Sequence, residues 1–501
     1  MASKLPPPPE PLVERNAFRA GQERAYPPPA PFADVRPRLP VPVLPDDPAY
    51  ERLYWSAWER LWACLCPPAP RSRLVGPYLQ PAAVGSIEIG AAAFAAQLSG
   101  YAPGTTALID ILDNFYARQH DDGFICRALD PADGDDRHLP YEPDSTGPAL
   151  LAWAEWRRFR LTGDASRIAA VLPPLLAYHR WCRANRTWPN GLYWATGHSS
   201  GLVNQPRVPG GRHHHAHWSW VDATAQAALD AALLERMAVL LGEQTLADEV
   251  SIERRALMQT FNDTFWNEEL GFYQDVGPDG RFSPVKSIAA YWALLDGQLI
   301  PKTRLTPFIQ HLRDTWSFRT PTVLPSLAAD DEAYNARTGN GWRGAVWPSL
   351  TYMVLRGLSL NEQHGLANKL AVTHVDAVSQ LYETTGHLWS HYAPEDLGPG
   401  EPAEEDAAGQ TAAAFIAMLL ENVIGVWVDW PLRQVTWRRH LERPHYGVRG
   451  LPLGDEGTLD LLSDGATVRL RSDAPLTLIL HNGSEVIQSA VPAGAFTISL
   501  D

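Results

Sequence analysis

From about residue 50 to 425, apolar residues recur three and four positions apart in one segment after another, the spacing of amphipathic helices. The stretch "DPAYERLYWSAWERLWACLC" opens the series, with Asp46 or Asp47 placed to cap it. Residues 105–119, 147–164, 165–185, 222–243, 251–266 and 283–297 continue it, followed by 347–358, 362–383 and 411–426. These helices end in Gly or Asn, the residues that tolerate a left-handed stop. Several pairs enclose long polar loops of Gly, Asn, His and Trp, where function tends to reside. After about residue 426 the pattern changes to short β-type runs separated by turn residues, which predicts a small β-sandwich. Paired helices without intervening strands favour a closed helical toroid over a βαβ fold. The expected organisation is an extended arm over residues 1–48, a helical barrel over 49–425 and a β-sandwich over 426–501. The arm holds 14 of the 44 prolines and is expected to lie on the body or be partly disordered.

Composition narrows the function classes. The 501 residues are 45% apolar and 20% charged, enough for a large core. A net charge of -15 argues against a nucleic-acid binder, which needs an excess of Lys and Arg. Cys64, Cys66, Cys126 and Cys182 are too few and too irregular for a disulfide framework. Neither a signal-peptide core nor a membrane span stands out, so a cytoplasmic protein with no membrane partner is expected. The 19 tryptophans include Trp188, Trp194, Trp218, Trp220, Trp342, Trp347 and Trp389, beside polar or glycine residues. Indoles so placed suit the C–H faces of a sugar; filling a large helical core is the alternative.

Three loops carry a resemblance. "HSSGLVNQPR" (198–207) with "WSWVDATAQAAL" (218–229), "YNARTGNGWRGAVWPSLTYMVLRGL" (334–358), and "GHLWSHYAPEDLGPG" (386–400) with "GQTAAAFIAMLLENVIGV" (409–426) occur in that order. They resemble loops of inverting glycoside hydrolases of the trehalase, mannosyl-oligosaccharide glucosidase and mannosylglycerate (glucosylglycerate) hydrolase type. The tail 435–462 is similar to the β-domain of bacterial members. The resemblance implies an (α/α)6 barrel with a sugar-binding mouth and a small C-terminal β-sandwich. It also implies an Asp acid and a Glu base on opposite sides of the sugar, with a water between them. The positions matching that acid and base are Val203 and Ser390. In place of the family's early Trp-Asp pair stands "GSIEIGAAAF", which offers Glu88.

Other residues therefore become candidates for proton transfer. His391 follows Ser390, and His198 precedes Val203 by five residues; imidazoles on two sides of a pocket can move protons near neutrality. His391 as a solvated loop residue is the alternative. Glu88, among small apolar residues, suits an acid if buried and unpaired, and a structural role if an arginine holds it. Asp144 and Asp222 are each read as helix caps that can also face ligand, and Glu395 and Asp396 as a solvated turn. For ligand binding the candidates are Trp342, Arg343, Trp347, Trp389, Tyr392, Asn204, Arg207, His198 and Val203. Arg343 can grip hydroxyls or a carboxylate with two donors. "RHHHAHW" (212–218) lacks Cys, Asp or Glu to complete a zinc set before Asp222, so it reads as a mobile histidine loop with His215 or His217 at the pocket mouth. No metal and no cofactor is expected. Three functions remain open: a glycosidase-like enzyme with displaced catalytic groups, a non-hydrolytic isomerase, cyclase or lyase using His as acid and base, and a sugar-binding protein without turnover.

Overall fold

Helical hairpins dominate the computed structural model, which describes residues 10–21, 26–80, 85–406 and 409–500. The larger helices are α1 (Pro48–Ala63), α2 (Ile89–Ala96), α3 (Leu151–Thr162), α4 (Ala165–Asn185) and α5 (Val221–Leu240). They are followed by α6 (Gln244–Phe265), α7 (Lys302–Gln310), α8 (Pro348–Leu360), α9 (His364–Thr385) and α10 (Gly409–Met418). Six inner elements close a ring: α2 packs on α3, α3 on α5, α5 on the 3₁₀ segment Ile288–Leu294, that segment on α8, α8 on α10, and α10 back on α2. Outside them, α4 packs on α3 and α5, α6 on α5, α9 on α8, and α1 on α9 and α10. This is the (α/α)6 barrel.

Inner and outer helices differ in sequence for a physical reason. α5 is buried at almost every position from Val221 to Leu234, because its alanines let neighbours approach on all sides. α2, "IGAAAFAA", is also apolar all round, so it lacks the polar face that reveals an outer helix. The stretch 105–119 is two short helices, Ala107–Asp110 and Asp113–Ala117, rather than one. The side chain of Asn114 is turned to the backbone of 75–77, accepting from Val75 N and Gly76 N at 2.9 Å each. The stretch 283–297 forms only the 3₁₀ turns, started by Ser287 Oγ accepting from Ala289 N. At α1, Pro48 occupies the first turn while Asp47 makes no side-chain cap; its carboxylate instead takes Arg443 Nε at 3.1 Å.

The C-terminal strands form two facing sheets. With β1 (Val41–Val43), β2 (Val426–Asp429), β3 (Gln434–Arg439), β4 (His445–Pro452), β5 (Thr458–Asp464), β6 (Thr467–Ser472), β7 (Leu476–Asn482), β8 (Glu485–Val491) and β9 (Gly494–Ser499), the orders are β1-β4-β5-β6-β9 and β8-β7-β3-β2. Alternate residues of β5 and β6 are buried, as expected for strands with one face on a core. The proline-rich arm is less separate than its composition implies. β1 pairs with β4 as an edge strand of the sandwich, and Glu10 takes Arg180 of α4 at 3.1 Å. Residues 1–9 and 22–25 of that arm lie outside the described residues.

Two buried ionic clusters tie the ring. Glu421, in the π-helical segment Leu419–Ile424 after α10, pairs with Arg157 of α3 and with Arg356 of α8 at 3.2 Å. It also accepts from Tyr352 Oη at 2.8 Å and Tyr101 Oη at 3.0 Å. Burial, the largest influence, would raise its pKa, but the two guanidinium charges and the tyrosine hydrogen bonds together hold the carboxyl below its usual range. His179 of α4 bridges Asp230 of α5 at 2.7 Å and Glu253 of α6 at 3.1 Å. Burial opposes its protonation, yet the hydrogen bonds and charges of those carboxylates raise it to about 9.

Replacing Glu421 by Gln strands two buried arginines and is expected to cost ~3–5 kcal/mol in a denaturant titration. Because the folded pKa of His179 lies above its unfolded value, its stabilisation is full below pH ~6.5 and is lost as pH rises through about 9. The stability gap between the native chain and His179→Gln, measured by denaturant midpoints across that range, should therefore close as pH rises.

Candidate functional site

The N-terminal ends of α2, α3, α8 and α10, the loop before α5 and Trp292 of the 3₁₀ segment surround a cavity of about 630 Å³. Its walls differ. Glu88 enters just before α2, Arg127, Arg137, His138 and Asp144 from the loop before α3, and His198, Val203 and His213 from the loop before α5. The other half of the ring contributes Trp292, Trp342, Ser349, Leu350 and Gln410. Among the described lining residues, every ionisable side chain thus comes from three consecutive sectors, and the three facing sectors supply aromatic, apolar and neutral groups.

Local chemistry explains how the charged wall is built. Thr196 and Ser199 cap the single turn Gly197–Ser200 reciprocally, and Gly201, at φ 82°, ends it. A Cβ on Gly197 would meet Val203 O at 2.8 Å, so the loop closes only on glycine there. Arg127 is the organiser of the wall. Its Nη1 donates to Glu88 Oε2 at 2.7 Å, its Nε to Asp144 O at 2.6 Å, and its Nη2 lies 3.0 Å from His138 Nε2. Ser86 Oγ donates to the other Glu88 oxygen at 2.6 Å. Asp144 accepts from Thr196 Oγ1 and faces His213 Nδ1 at 2.9 Å. The ring of His213 stacks on His198 with centroids 4.3 Å apart. Burial pushes the pKa of His198 down, more than the nearby Asp144 pulls it up. Its Nε2 is buried and has no partner among the described residues.

The loop that carries Ser390 and His391 behaves differently. Neither residue lines the cavity, and both are buried. Ser390 Oγ accepts from Glu404 N and lies 3.0 Å from His391 Nδ1. Trp342, Trp347 and His391 form a three-ring stack, at 3.9 Å and then 4.1 Å between centroids. Gly400 closes over the imidazole, where a Cβ would sit 2.2 Å from His391 Cδ2. Burial lowers the His391 pKa to about 4. The expectation of a solvated or pocket-facing His391 is therefore corrected: it is the far end of a stack whose near end, Trp342, reaches the cavity. Trp389 and Tyr392 belong to the same framework, Trp389 N donating to Tyr392 Oη at 3.2 Å.

Arg207 and Asp222 also stand apart from the main cavity. Both are 1% exposed, and Arg207 Nη2 reaches each Asp222 oxygen at 2.7 Å. Asp275 lies 3.5 Å from the same guanidinium, which stacks over Trp220 at 4.5 Å. Asp222 is not the cap of α5; that position is Trp220, and Asp275 accepts from Val221 N at 2.8 Å. Asn204 holds two loops together, accepting from Trp342 N and donating to Asn340 O at 2.8 Å each. Arg343 is exposed and donates to Asn204 O.

Some of the wall carried no motif. Arg127 and His138 lie in "ICRALDPADGDDRHLPYEPD", whose one signal is a dense Asp/Gly loop between helices. Within "RHHHAHW" it is His213 that reaches the cavity, while His215 packs on Trp188 and Trp194 at 4.9 and 4.7 Å and His217 on Trp188 at 5.9 Å.

The model of the mannosylglycerate hydrolase MGH1-like glycoside hydrolase domain matches residues 105–403, more than half of the sequence. The chain belongs to this glycoside hydrolase family. An uncharacterized protein of Borreliella burgdorferi is 26% identical over 348 residues, 67% of this chain and 71% of that one. A probable mannosyl-oligosaccharide glucosidase of Schizosaccharomyces pombe is 25% identical over 293 residues, 55% of this chain and 34% of that one. Among solved structures, the GH63 mannosylglycerate hydrolase from Thermus thermophilus in complex with glucose superposes with a TM-score of 0.59 at 20% identity, over 73% of this chain and 99% of that one. The fold of this MGH1-like chain is thus shared with that hydrolase. No helix among this chain's described residues is long and apolar enough to cross a membrane.

Because Arg207 neutralises two buried carboxylates, Arg207→Met is expected to destabilise the chain by ~3–5 kcal/mol, read from thermal or denaturant unfolding. A variant that kept native stability would show that the cluster is not structural.

Proposed function

We propose that the barrel takes a small glycoside or sugar-like metabolite into the cavity and acts on it from one side, through Glu88, Asp144 and the His198–His213 pair. The observation that carries this reading is the division of the wall into a charged half and an aromatic, neutral half. Inverting hydrolysis needs an acid and a base on opposite faces of the sugar, ~6.5–9.5 Å apart, with a water between them. Val203, on the charged side, cannot donate a proton, and the facing sectors place no carboxylate in the lining among the described residues. A one-sided set of acids and bases instead suits proton movement between neighbouring atoms on one face, as in an isomerisation or an elimination.

Each group has a chemical role in that reading. Glu88, held by Arg127 and Ser86, presents a carboxylate that accepts from a hydroxyl. His198, whose pKa burial lowers, stays neutral and offers both a lone pair and an N–H. Its stacked neighbour His213 is oriented by Asp144, the arrangement that fixes a tautomer. Opposite them, Trp342, backed by Trp347 and His391, offers a rigid face for sugar C–H groups. The complex with glucose belongs to a related barrel and supports the ligand class.

The test combines binding and product analysis. Calorimetry with mannosylglycerate, glucosylglycerate, trehalose and glucose is expected to show saturable binding of at least one, weakened about tenfold or more by Trp342→Ala. Products followed by proton NMR should show any turnover falling ~10²–10⁴-fold in Glu88→Gln or Asp144→Asn. Inverting hydrolysis that survives both substitutions would overturn the reading. Binding without turnover on every sugar would favour a non-catalytic role.

A further inference from the structure

A second recess lies at the other end of α8 from the cavity. Ser349 and Leu350, at the start of α8, line the cavity, whereas Ser359 and Leu360, at its end, line a recess of about 440 Å³ facing the β-sandwich. That volume falls within the ~300–1,000 Å³ range of small-molecule sites. His364 enters it from the first turn of α9, Arg438 from β3 and His481 from β7. Parallel pairing places His481 directly beside Arg438. His440, just past the end of β3, is exposed and does not line the recess, but its charge acts on His364.

These four side chains share one property. Among the described residues, none of them pairs with a carboxylate or makes a side-chain hydrogen bond, and Nε of Arg438 is buried without a partner. Among the described lining residues the one carboxylate, Glu362, is exposed and pairs with none of them. Trp427 separates Arg438 from Arg356, whose guanidinium stacks 3.8 Å from the indole and answers to Glu421. Burial, followed by the charges of Arg438, His440 and His481, pushes His364 down to about 3, as uncompensated positive potential would. Among the described residues, three fully buried arginines answer to carboxylates, Arg157 and Arg356 to Glu421 and Arg207 to Asp222, and a fourth, Arg186, answers to hydroxyl and carbonyl oxygens; half-buried Arg438 has neither. In a chain of net charge -15, three cationic or protonatable side chains around one recess make a local positive potential that favours an anion.

We propose that this recess binds an oxyanion of the phosphate type, free or carried as a monoester on a small polar metabolite. The guanidinium of Arg438 supplies charge and a forked pair of donors, the imidazoles supply N–H groups, and the first turn of α9 adds backbone N–H groups whose partial charge favours an anion. The site is independent of the sugar cavity, since the two share no lining residue.

Titration calorimetry on the full chain tests it, with inorganic phosphate, glucose 6-phosphate and glucose as probes. Saturable binding of a phosphate-bearing probe is expected, weakened at least tenfold in Arg438→Gln and also in His481→Gln, with the response to glucose unchanged by either substitution. Tighter binding of the ester than of inorganic phosphate assigns the site to a phosphorylated metabolite, and equal binding assigns it to the free anion; both support the proposal. Absence of saturable heat with both phosphate probes overturns it, as does unchanged phosphate binding in both variants. His481→Gln keeps the test decisive if Arg438→Gln does not fold.

Discussion

Glu421 is the constraint on which the ring depends. An (α/α)6 barrel closes only if its last inner helix returns to its first, and here the carboxylate just beyond α10 joins Arg157 of α3 and Arg356 of α8. A buried carboxylate is tolerated when its charge and lone pairs are all engaged, and Tyr101 and Tyr352 complete the set. The cluster lies two turns along α8 from the cavity-lining Ser349 and Leu350. It therefore sets the relative position of helices whose opposite ends hold the site. Below it, through Trp427, lies the unmatched arginine of the second recess.

Burial decides the difference between the two kinds of charged group in this barrel. Arg207 with Asp222 and Asp275, and His179 with Asp230 and Glu253, are enclosed and paired with each other, so their charges serve to hold the fold together. Glu88, Asp144 and His198 are also hydrogen-bonded or stacked, yet each keeps a face on the cavity. Arg127 achieves this by binding Glu88 through one nitrogen and the Asp144 backbone through another, which leaves the carboxylates oriented rather than buried. The stack of Trp342, Trp347 and His391 supplies the stiff opposite wall.

Much of the fold was legible in the chain's periodicities. The outer helices α1, α6 and α9 show a polar face, and β5 and β6 alternate, so their types follow from pattern alone. α2 was not legible as a helix, because a segment buried all round has no period to read. The pairing of Val41–Val43 with β4 was hidden by prolines that composition assigns to a loose arm. At the site, Glu88, Asp144, His198, Val203 and Trp342 were within reach of sequence reasoning and do line one cavity. His391 and Arg207 illustrate the limit. A residue type names the chemistry available, while the direction of the side chain depends on contacts such as Gly400 and Asp222 that lie elsewhere in the chain. Arg127 was missed for the converse reason: its role depends on where Glu88 and Asp144 come together.

On the proposed one-sided reading, a sugar binds against the charged wall of the cavity. That placement is tested most plainly by NMR of the histidine side chains during titration with a bound sugar, each signal assigned by single substitution. Signals of His198 and His213 should move with saturation while that of His391, enclosed beneath Gly400, stays in place. A titration that moves His391 and leaves His198 and His213 untouched would contradict the assignment of the charged wall as the acting side.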